Sequence, residues 1–335
     1  MQIYTENEFL NVAINDAIER VHKGYRLSEG DIYLSFSGGK DSTVVAEIIK
    51  MAKLEKDIPF VFADTRIELD ATLKFVKGFD YPNVVIVKPR KPFGQILKEY
   101  GKPAISKNKS EWLSTYHRHV DEPLKTARAR QLISGDAEVG GELRGFKSKN
   151  ALAKKHFHVL HPELDYKIAN KCCEYMKKKP FVDFSKEMGM KGTFTGIRVA
   201  EGGARALSYK TCTVFRKSKN DVMVMPIFDW SDEILEEFIK EFNIKLSDAY
   251  EVYGSKRTGC IGCPFSRDLE EDLTRLHKYE PKKYKATIHW LKDVYVDQNV
   301  KLEFDSEYMK YYEERNAVNE LRRVEMLAKF SDVRK

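Results

Sequence analysis

The sequence predicts an α/β fold built on a doubly wound parallel sheet. Apolar runs of strand length cover residues 32–36, 60–63 and 83–88, and helical patterns separate them. Strands that alternate with helices form βαβ units, in which the strands run parallel and usually neighbour one another. Two further apolar runs, 192–199 and 222–227, predict a fourth and a fifth strand of the same sheet.

Helical patterns flank these strands. Residues 7–24 and 43–54 each carry apolar side chains at helical spacing, so each stretch is expected to pack a helix on the sheet. Ser231 has the side chain of an N-cap, and it predicts a helix over 234–242.

Two stretches depart from the alternation of strands and helices. Residues 91–171 are rich in Lys, Arg, Gly and His and hold few strand signals, whereas 268–330 are helical, charged and amphipathic. The sequence therefore predicts one domain over 1–265, with a basic helical insertion at about 91–171. A helical C-terminal extension is predicted over 266–335.

Composition narrows the class of protein. With 335 residues, 42% hydrophobic and 33% charged, the chain is typical of a soluble globular protein. It has no apolar run of about 18 residues and no signal-like N-terminus, so we expect a cytoplasmic protein without a membrane contact. The net charge of +7 suits a polyanion partner, or only the phosphates of a nucleotide. The composition is also compatible with a homo-oligomer.

A glycine-rich turn between the first strand and its helix predicts a phosphate site. The turn reads Ser37-Gly-Gly-Lys-Asp-Ser42, which is not the pattern of a Walker A loop. Backbone N–H groups and the helix dipole favour an anion there, and Lys40 adds a full positive charge. The candidate nucleotide-binding residues of this stretch are Ser35, Ser37, Gly38, Gly39, Lys40, Asp41 and Ser42. Lys40 and Asp41 are also candidate catalytic residues.

This turn resembles the SGGKDS loop of the PP-loop ATP pyrophosphatases, whose fold is called adenine nucleotide alpha hydrolase-like. The resemblance implies that the chain binds ATP with Mg²⁺ and cleaves it between the α- and β-phosphates, or binds a ready-made adenylyl sulfate. It also implies that Asp64 and Thr65, at the end of the second strand, lie near the adenine and ribose. The following Leu69-Asp-Ala-Thr72 departs from the Phe-Pro-Glu-Thr usual in that superfamily, which puts a role for Asp70 in doubt.

Five cysteines point to metal or redox chemistry, because an odd number in a cytosolic chain argues against a disulfide framework. Cys172 and Cys173 are adjacent, and Cys260 and Cys263 form a C-x-x-C pair. Zinc, a [4Fe–4S] cluster and unligated core thiols all remain open. The adjacent pair favours the cluster, because a cube offers a separate iron to each thiolate.

The same cysteines resemble those of the adenylyl-sulfate (APS) reductases, in the phosphoadenosine phosphosulfate (PAPS) reductase family. The resemblance implies that Cys172, Cys173, Cys260 and Cys263 hold a [4Fe–4S] cluster. Lys177 and Pro180 then match a basic residue and a proline of that family. A second segment, Gly196-x-Arg198 followed by Glu201 and Arg205, matches residues that face the nucleotide, so Arg198 and Arg205 are candidate nucleotide ligands.

One departure from the reductases changes the expected reaction. Those enzymes attack the sulfonucleotide with a cysteine in a C-terminal tail, whereas this sequence has no cysteine after Cys263. The same fold and cluster occur in the sulfur-transfer subunit of DNA phosphorothioation systems, and related PP-loop proteins thiolate tRNA. The resemblance therefore favours ATP-dependent sulfur transfer to DNA or tRNA, with a cysteine desulfurase or a thiol donor protein as partner. Reduction of APS or PAPS by an external thiol, and a non-catalytic nucleotide-sensing or nucleic-acid-binding subunit, are the alternatives.

Cys212 is the one thiol outside the predicted cluster. Lys210, Arg216 and Lys217 are close in sequence and would favour the nucleophilic thiolate. Cys212 is therefore a candidate catalytic residue, as a persulfide carrier or nucleophile. The alternative is a small buried residue at a sheet edge.

The insertion also carries basic residues interleaved with aromatic ones. Positive charge gathers over 125–130 and 144–155, with Trp112, Tyr116 and Phe146 between or beside these stretches. Such a pattern is compatible with binding of single strands or flipped nucleotides, and equally with a solvated helical surface.

Overall fold

The computed structural model describes residues 2–202, 208–216 and 220–334. The chain forms two compact units, each assembled from two separate stretches. Residues 1–90 and 177–260 form the first, here called the sheet unit, and residues 91–176 and 261–335 form the second, called the helical unit.

Strands and helices alternate over residues 8–87, in the order that the sequence predicts. The strands are β1 (Ile32–Ser35), β2 (Phe60–Ala63), β3 (Val84–Val87), β4 (Asp136–Val139), β5 (Glu142–Lys147), β6 (Gly192–Phe194), β7 (Thr213–Arg216) and β8 (Asp221–Val224). The α-helices are α1 (Glu8–Leu27), α2 (Lys40–Met51), α3 (Asp70–Lys77), α4 (Phe93–Tyr100), α5 (Lys107–His117), α6 (Ala127–Ser134), α7 (Lys179–Glu187), α8 (Asp232–Glu241), α9 (Asp248–Glu251), α10 (Leu269–Tyr279), α11 (Pro281–Asp297) and α12 (Ser306–Lys329). A π-helical turn, Glu174–Lys178, runs directly into α7.

The sheet unit is organised around β1. Its strands are ordered β3-β2-β1-β6-β8-β7, and all are parallel except β7, which pairs antiparallel with β8. Leu34 is in register with Phe60 on one side and Phe194 on the other. The chain thus extends the sheet in both directions from β1, which creates a topological switch point at the β1–β6 boundary. Ligands of open α/β sheets bind outside the strand ends at such a point.

Both faces of this sheet are covered. The side chains of Ile32, Leu34 and Phe36 alternate with Tyr33, so the first three pack into the main core and Tyr33 faces the other side. The main core lies under α1, α2, α3 and α8. On the opposite face Tyr33 stacks on Phe181 and meets Phe184 of α7 edge-on. This arrangement confirms the doubly wound α/β fold.

The helical unit has a polar centre at Asp297, the last residue of α11. Its buried carboxylate accepts hydrogen bonds from Arg315, Tyr166 and Asn319. Arg315 also pairs with Asp165 over 2.9 Å. Because a buried carboxylate is costly unless it is paired, this network fixes how α12 packs against the 165–166 segment and α11.

Most predicted elements are confirmed, with shifted ends. The strands over 32–36, 60–63 and 83–88 are present, the helix over 7–24 continues to Leu27, and Ser231 caps α8 by accepting from Ile234 N–H over 3.3 Å. The fourth predicted strand stops at Phe194, five residues early, and the fifth is β8. Helices α10, α11 and α12 confirm the helical C-terminal region, while the domain limit at residue 265 stays a prediction.

Three of the described strands were not predicted. The insertion contains the β4–β5 hairpin, closed by Gly140 and Gly141, both at positive φ, which suits a tight hairpin turn. Every residue of β5 is exposed, so it lacks the apolar alternation by which a strand is recognised. Strand β7 makes the sheet mixed at its edge. Its residues Thr213, Val214 and Phe215 favour a strand, but a stretch of four residues is too short to be recognised by its alternation. No described helix combines the length and the apolar composition that crossing a bilayer requires.

Candidate nucleotide-binding site

The predicted phosphate loop lies between β1 and α2. Gly38 has φ +67°, which ordinary side chains disfavour, and a Cβ there would lie 2.8 Å from Val76 Cγ2. Ser42 Oγ accepts from Ser37 N–H over 3.2 Å and donates to Gly39 O over 3.0 Å. Helix α2 then starts at Lys40, and its N-cap residue, Gly39, has no side chain that could cap the first amides. The loop thus has the shape of an anion-binding turn, as the sequence predicts.

A cavity of about 600 Å³ opens beside this loop, at the carboxyl ends of β1, β2 and β6. This volume is within the usual range for small-molecule sites. Five of the predicted nucleotide-binding residues line it, namely Ser35, Ser37, Gly39, Asp41 and Ser42. Gly38, Lys40, Asp64, Thr65 and Arg198 are close in sequence to lining residues but do not line the cavity themselves. Arg205 lies outside the described residues.

Arg198 is joined to the first turn of α2. Its Nε donates to Asp41 Oδ1 over 2.6 Å, and its other nitrogens donate to Asp232 over 2.8 Å and to the Trp230 carbonyl over 3.1 Å. Burial lowers the pKa of Arg198, but the hydrogen bonds to Asp232 and Asp41 outweigh it and raise that pKa. The guanidinium therefore stays charged while only 5% exposed. Its contacts make it a positioning residue for Asp41, and direct contact with a nucleotide stays a prediction.

A tyrosine from a distant part of the chain lies at the N-terminus of α2. The Tyr250 hydroxyl accepts from Lys40 N–H over 3.3 Å and from Thr258 N–H over 3.1 Å. Its oxygen thus contacts an amide that would otherwise be available to an anion. The Lys40 side chain is 31% exposed, and its ammonium group lies 4.0 Å from Glu236. Sequence reasoning missed Tyr250 because it is 210 residues away from Lys40 and belongs to no local motif.

The end of β2 presents a second group of polar side chains. Thr65 donates its hydroxyl to Glu68 over 2.7 Å and its N–H over 3.1 Å, and Lys177 lies 3.7 Å from the same carboxylate. Asp64, also buried, accepts from Arg66 N–H. Glu68 and Lys177 line the cavity, whereas Thr65 reaches it through Glu68. Glu68 was not predicted, because the resemblance places its acidic position at Asp70, which begins α3 and whose role was in doubt.

The four predicted cluster cysteines belong to different parts of the chain. Cys172, Cys173 and Cys263 belong to the helical unit, and Cys260 is the last residue of the sheet unit. Within the described parts of the chain, no three His, Cys, Asp or Glu side chains are grouped so that they could hold a metal ion. Four thiols suit iron–sulfur chemistry, and the cluster stays a prediction.

The loop that carries Cys263 is anchored to α11. Tyr295 donates to the Gly262 carbonyl, and Gln298 donates to the Pro264 carbonyl over 2.9 Å. Burial, and then the charge of Cys263, raise the pKa of Tyr295 well above its usual value, so the phenol remains a proton donor to Gly262. The residues flanking Cys263 are therefore held by the helical unit itself.

Cys212 lies just before β7. Its side chain packs with Met223, Met225 and Phe228, and its Sγ is 3.8 Å from Thr213 Oγ1. It is not among the residues that line the cavity. These contacts are those of a half-buried packing residue, and the catalytic role stays a prediction. Lys217, which was expected to lower its pKa, lies outside the described residues.

Much of the basic stretch in the insertion is internally paired. Arg130 forms a two-pronged ion pair with Glu138, and Arg128 contacts Glu111 over 2.8 Å. Tyr116 is fully buried and donates to the Leu160 carbonyl over 3.0 Å. These side chains therefore support the helical unit, and nucleic-acid binding by the stretch over 125–130 has no support from their contacts.

The chain is similar to two curated proteins of Methanocaldococcus jannaschii. It is 24% identical to the uncharacterized protein MJ0066 over 74% of this chain, and 23% identical to the uncharacterized protein MJ0973 over 83% of it. The matches cover 39% and 53% of those two proteins, so the chain spans only about half the length of these relatives, or less.

Among solved structures, the PAPS reductase from Candida auris in its phosphate complex is 14% identical. That match covers 78% of this chain and 98% of the reductase, with a TM-score of 0.44. The U34-tRNA thiolase NcsA from Methanococcus maripaludis, solved with its [4Fe–4S] cluster, is 14% identical over 84% of this chain and 78% of the thiolase, with a TM-score of 0.34. Similarities at these values carry no inference about function.

The family model called phosphoadenosine phosphosulfate reductase domain matches residues 31–142 and 136–266. Together these segments include the phosphate loop, the end of β2, the Gly196–Arg198 segment and all five cysteines, and they cover more than half of the chain. The chain therefore belongs to the phosphoadenosine phosphosulfate reductase domain family, whose members use nucleotides through a PP-loop.

Proposed function

We propose that the chain is an ATP pyrophosphatase that activates an oxygen of a nucleic acid for replacement by sulfur. The observation that carries the first half of this proposal is the position of the cavity. It lies at the switch point of the sheet and is lined by Ser37, Gly39 and Ser42 of the PP-loop. An adenine nucleotide is the ligand that fits both this loop and the volume.

In this proposal, the ATP phosphates lie at the N-terminus of α2. The Ser37 and Ser42 hydroxyls and the Lys40 ammonium group donate to them, and the Tyr250 hydroxyl gives way to a phosphate oxygen at the Lys40 amide. Asp41, Glu68 and Glu201 are the carboxylates that line the cavity, and they are the oxygen ligands available to Mg²⁺. Bound Mg²⁺ would neutralise charge on the phosphates.

The chemical step is an in-line displacement at the α-phosphorus. The acceptor oxygen supplies the electron pair of the new P–O bond, and the bond to the α–β bridging oxygen breaks, so that pyrophosphate leaves and an AMP ester of the acceptor remains. Lys40 and the backbone amides stabilise the charge that develops on pyrophosphate, because fixed donors cost no reorganisation. The terminal sulfur of a persulfide on a donor protein, such as a cysteine desulfurase, then attacks the activated atom, and AMP leaves with the former acceptor oxygen. A reducing thiol, required as a co-reactant, cleaves the S–S bond that remains and so leaves the sulfur on the nucleic acid.

The test is pyrophosphate release from ATP by anaerobically purified protein. Release that requires DNA or tRNA, together with sulfur from a labelled persulfide donor appearing in that nucleic acid, is the expected result. Release without any acceptor preference would remove the nucleic-acid part of the proposal. No release with any acceptor would remove the ATP pyrophosphatase part.

The family match supports a second candidate, reduction of a sulfonucleotide by an external thiol. The same cavity would then hold APS or PAPS in place of ATP. Sulfite release from APS in the presence of a thiol donor, without pyrophosphate release from ATP, would decide for this reaction.

A further inference from the structure

The helical unit contains a cavity of its own, with a volume of about 880 Å³. Its walls come from α4, the end of α5, the segment 162–168 and α11, and every lining residue belongs to the helical unit. Neither the PP-loop nor the predicted cluster cysteines take part in it. Its chemistry therefore requires an explanation separate from nucleotide binding.

The charge of this cavity is strongly one-sided. Lys98, Lys102, Arg118 and Lys167 line it, against a single lining carboxylate, Asp165. Asp165 is neutralised by Arg315 through two hydrogen bonds of 2.9 Å. Of the cations, Lys102 is paired with Asp293, whereas Lys98, Arg118 and Lys167 are exposed side chains. The cavity therefore presents a positive surface that suits a polyanion.

An aromatic side chain, Trp290, lines the same cavity and packs against α4. The indole of Trp290 lies directly on the backbone of α4, so that a Cβ at Gly94 would lie 2.2 Å from Trp290 Cζ2. Glycine inside a helix costs about 1 kcal/mol relative to alanine, and here it makes room for the ring. Lys98 lies over the indole, 5.5 Å from its ring centroid. Because the ring is already packed, little conformational entropy is lost when a ligand stacks on it.

We propose that this cavity binds an unpaired segment of nucleic acid, with a base stacked on Trp290 and the flanking phosphates at Lys98, Arg118 and Lys167. Aromatic platforms next to backbone-tracking cations are the general means of holding single strands. A duplex hides its base faces, so it can use the cations but not the indole. An acidic peptide without aromatic residues likewise has no ring to stack on the indole. The inference deepens the proposed function, because it names an unpaired strand as the acceptor, and it rests on that function only in this respect.

The test measures binding without ATP, by fluorescence anisotropy of labelled 12-nucleotide single strands of DNA and RNA. Trp290→Ala should weaken binding roughly 10- to 100-fold, because stacking of one base contributes about this much. Gly94→Ala, which leaves the indole in the sequence but displaces it, should weaken binding in the same direction. Lys98→Ala/Lys167→Ala should reduce the slope of log affinity against log salt concentration by about 1.4, the value for two phosphate contacts on a single strand.

The matched control is Lys282→Ala/Lys310→Ala, which removes the same charge from exposed positions of the helical unit that do not line the cavity. It should leave both affinity and salt slope nearly unchanged. Circular dichroism and thermal unfolding establish whether each variant is folded. If Trp290→Ala is not folded, the comparison of the Lys98/Lys167 pair with the control pair still tests the proposal.

Three results would overturn the assignment. One is equal weakening by the control pair and the Lys98/Lys167 pair. The second is wild-type affinity in both Trp290→Ala and Gly94→Ala. The third is tighter binding of a duplex, or of a polyglutamate peptide, than of the single strands. Comparison of the affinities for DNA and RNA strands identifies the acceptor. A wild-type protein that releases pyrophosphate from ATP but binds no single strand would contradict this inference alone, whereas a protein that binds strands but releases no pyrophosphate would contradict only the ATP reaction.

Discussion

Arg198 and Asp41 form a hydrogen-bonded ion pair of 2.6 Å that joins the segment after β6 to the first turn of α2. Arg198→Ala should lower the free energy of unfolding by about 1–3 kcal/mol, because it removes the donor to Asp41 and to the Trp230 carbonyl. The loss is limited because the two carboxylate partners, Asp41 and Asp232, are partly exposed to water. Pyrophosphate release should fall as well, because Asp41 loses its orientation. Urea unfolding and the pyrophosphate assay measure the two effects.

Arg20→Ala is the matched control for Arg198→Ala. The Arg20 side chain is 15% exposed and pairs with Asp229 over 2.7 Å, but it does not line the cavity. The Arg20→Ala variant should lose a similar amount of unfolding free energy, and the folded variant should release pyrophosphate at the wild-type rate. Equal losses of turnover in the two variants would show that Arg198 has no positioning role.

Lys40→Ala should slow pyrophosphate release roughly 30- to 1000-fold without unfolding the protein. The reason is that one charged donor at a developing charge contributes about 2–4 kcal/mol of transition-state stabilisation. Lys56→Ala, at an exposed position outside the cavity, serves as the control. A Lys40→Ala variant as active as the control would remove the PP-loop assignment.

Protein purified without oxygen should be brown and contain about four irons per chain. Alanine at Cys172, Cys173, Cys260 or Cys263 should each bleach the visible absorption, since each thiolate is predicted to bind one iron. Cys212→Ser should keep the colour and so controls for general loss of thiols. Stoichiometric zinc without iron in metal analysis would decide instead for a structural zinc site.

Cys212→Ser also tests the proposed sulfur carrier. If Cys212 carries persulfide, the variant should cleave ATP normally but incorporate no labelled sulfur into the acceptor. Normal incorporation would identify Cys212 as the packing residue that its contacts with Met223 and Met225 describe, and sulfur would then have to come by another route.

His156 should make stability depend on pH between about 4 and 6.5. Burial, and then the charge of Lys155, lower the pKa of His156 to about 4. A hydrogen bond with the Asp297 carbonyl opposes this shift, whereas charge repulsion from His158 and Lys109 adds a little to it. The unfolded chain therefore binds the proton first as the pH falls. The stabilisation is complete above about 6.5 and is lost as the pH approaches 4, a change of about 3 kcal/mol.

The measurement is urea unfolding of wild type and His156→Gln across this range. The difference in unfolding free energy between the two should shrink or reverse as the pH falls from 6.5 to 4, and the contributions of histidines that do not interact with His156 cancel in it. Parallel curves would show that His156 does not carry the dependence.

Sequence reasoning predicts those parts of the fold whose signals are local. The strands at Ile32, Phe60 and Val84 and the loop from Ser37 to Ser42 are continuous patterns, so their elements and their order along the sheet follow directly. The β4–β5 hairpin is not predicted, because its second strand is wholly exposed and therefore has no apolar alternation.

The cavity is only partly predictable for the same reason. Ser37, Asp41 and Ser42 belong to one motif, whereas Glu68, Tyr250 and Thr258 reach the site through tertiary packing. The position of Trp290 is still more difficult to predict, because its ring packs on Gly94, about 200 residues earlier in the chain. Pairings of this kind become visible only when the distant segments are seen together.

Each unit is discontinuous in the chain, and this has a consequence for synthesis on the ribosome. Residues 91–176 emerge well before residues 261–335, which complete the same unit. At ordinary elongation rates the interval is on the order of 10 s, far longer than local helix formation requires. During that time Tyr166 is exposed without Asp297 and Arg315, its later neighbours. The nascent chain therefore passes through a stage in which half of a core lacks its counterpart, and this is the stage at which a chaperone would be needed.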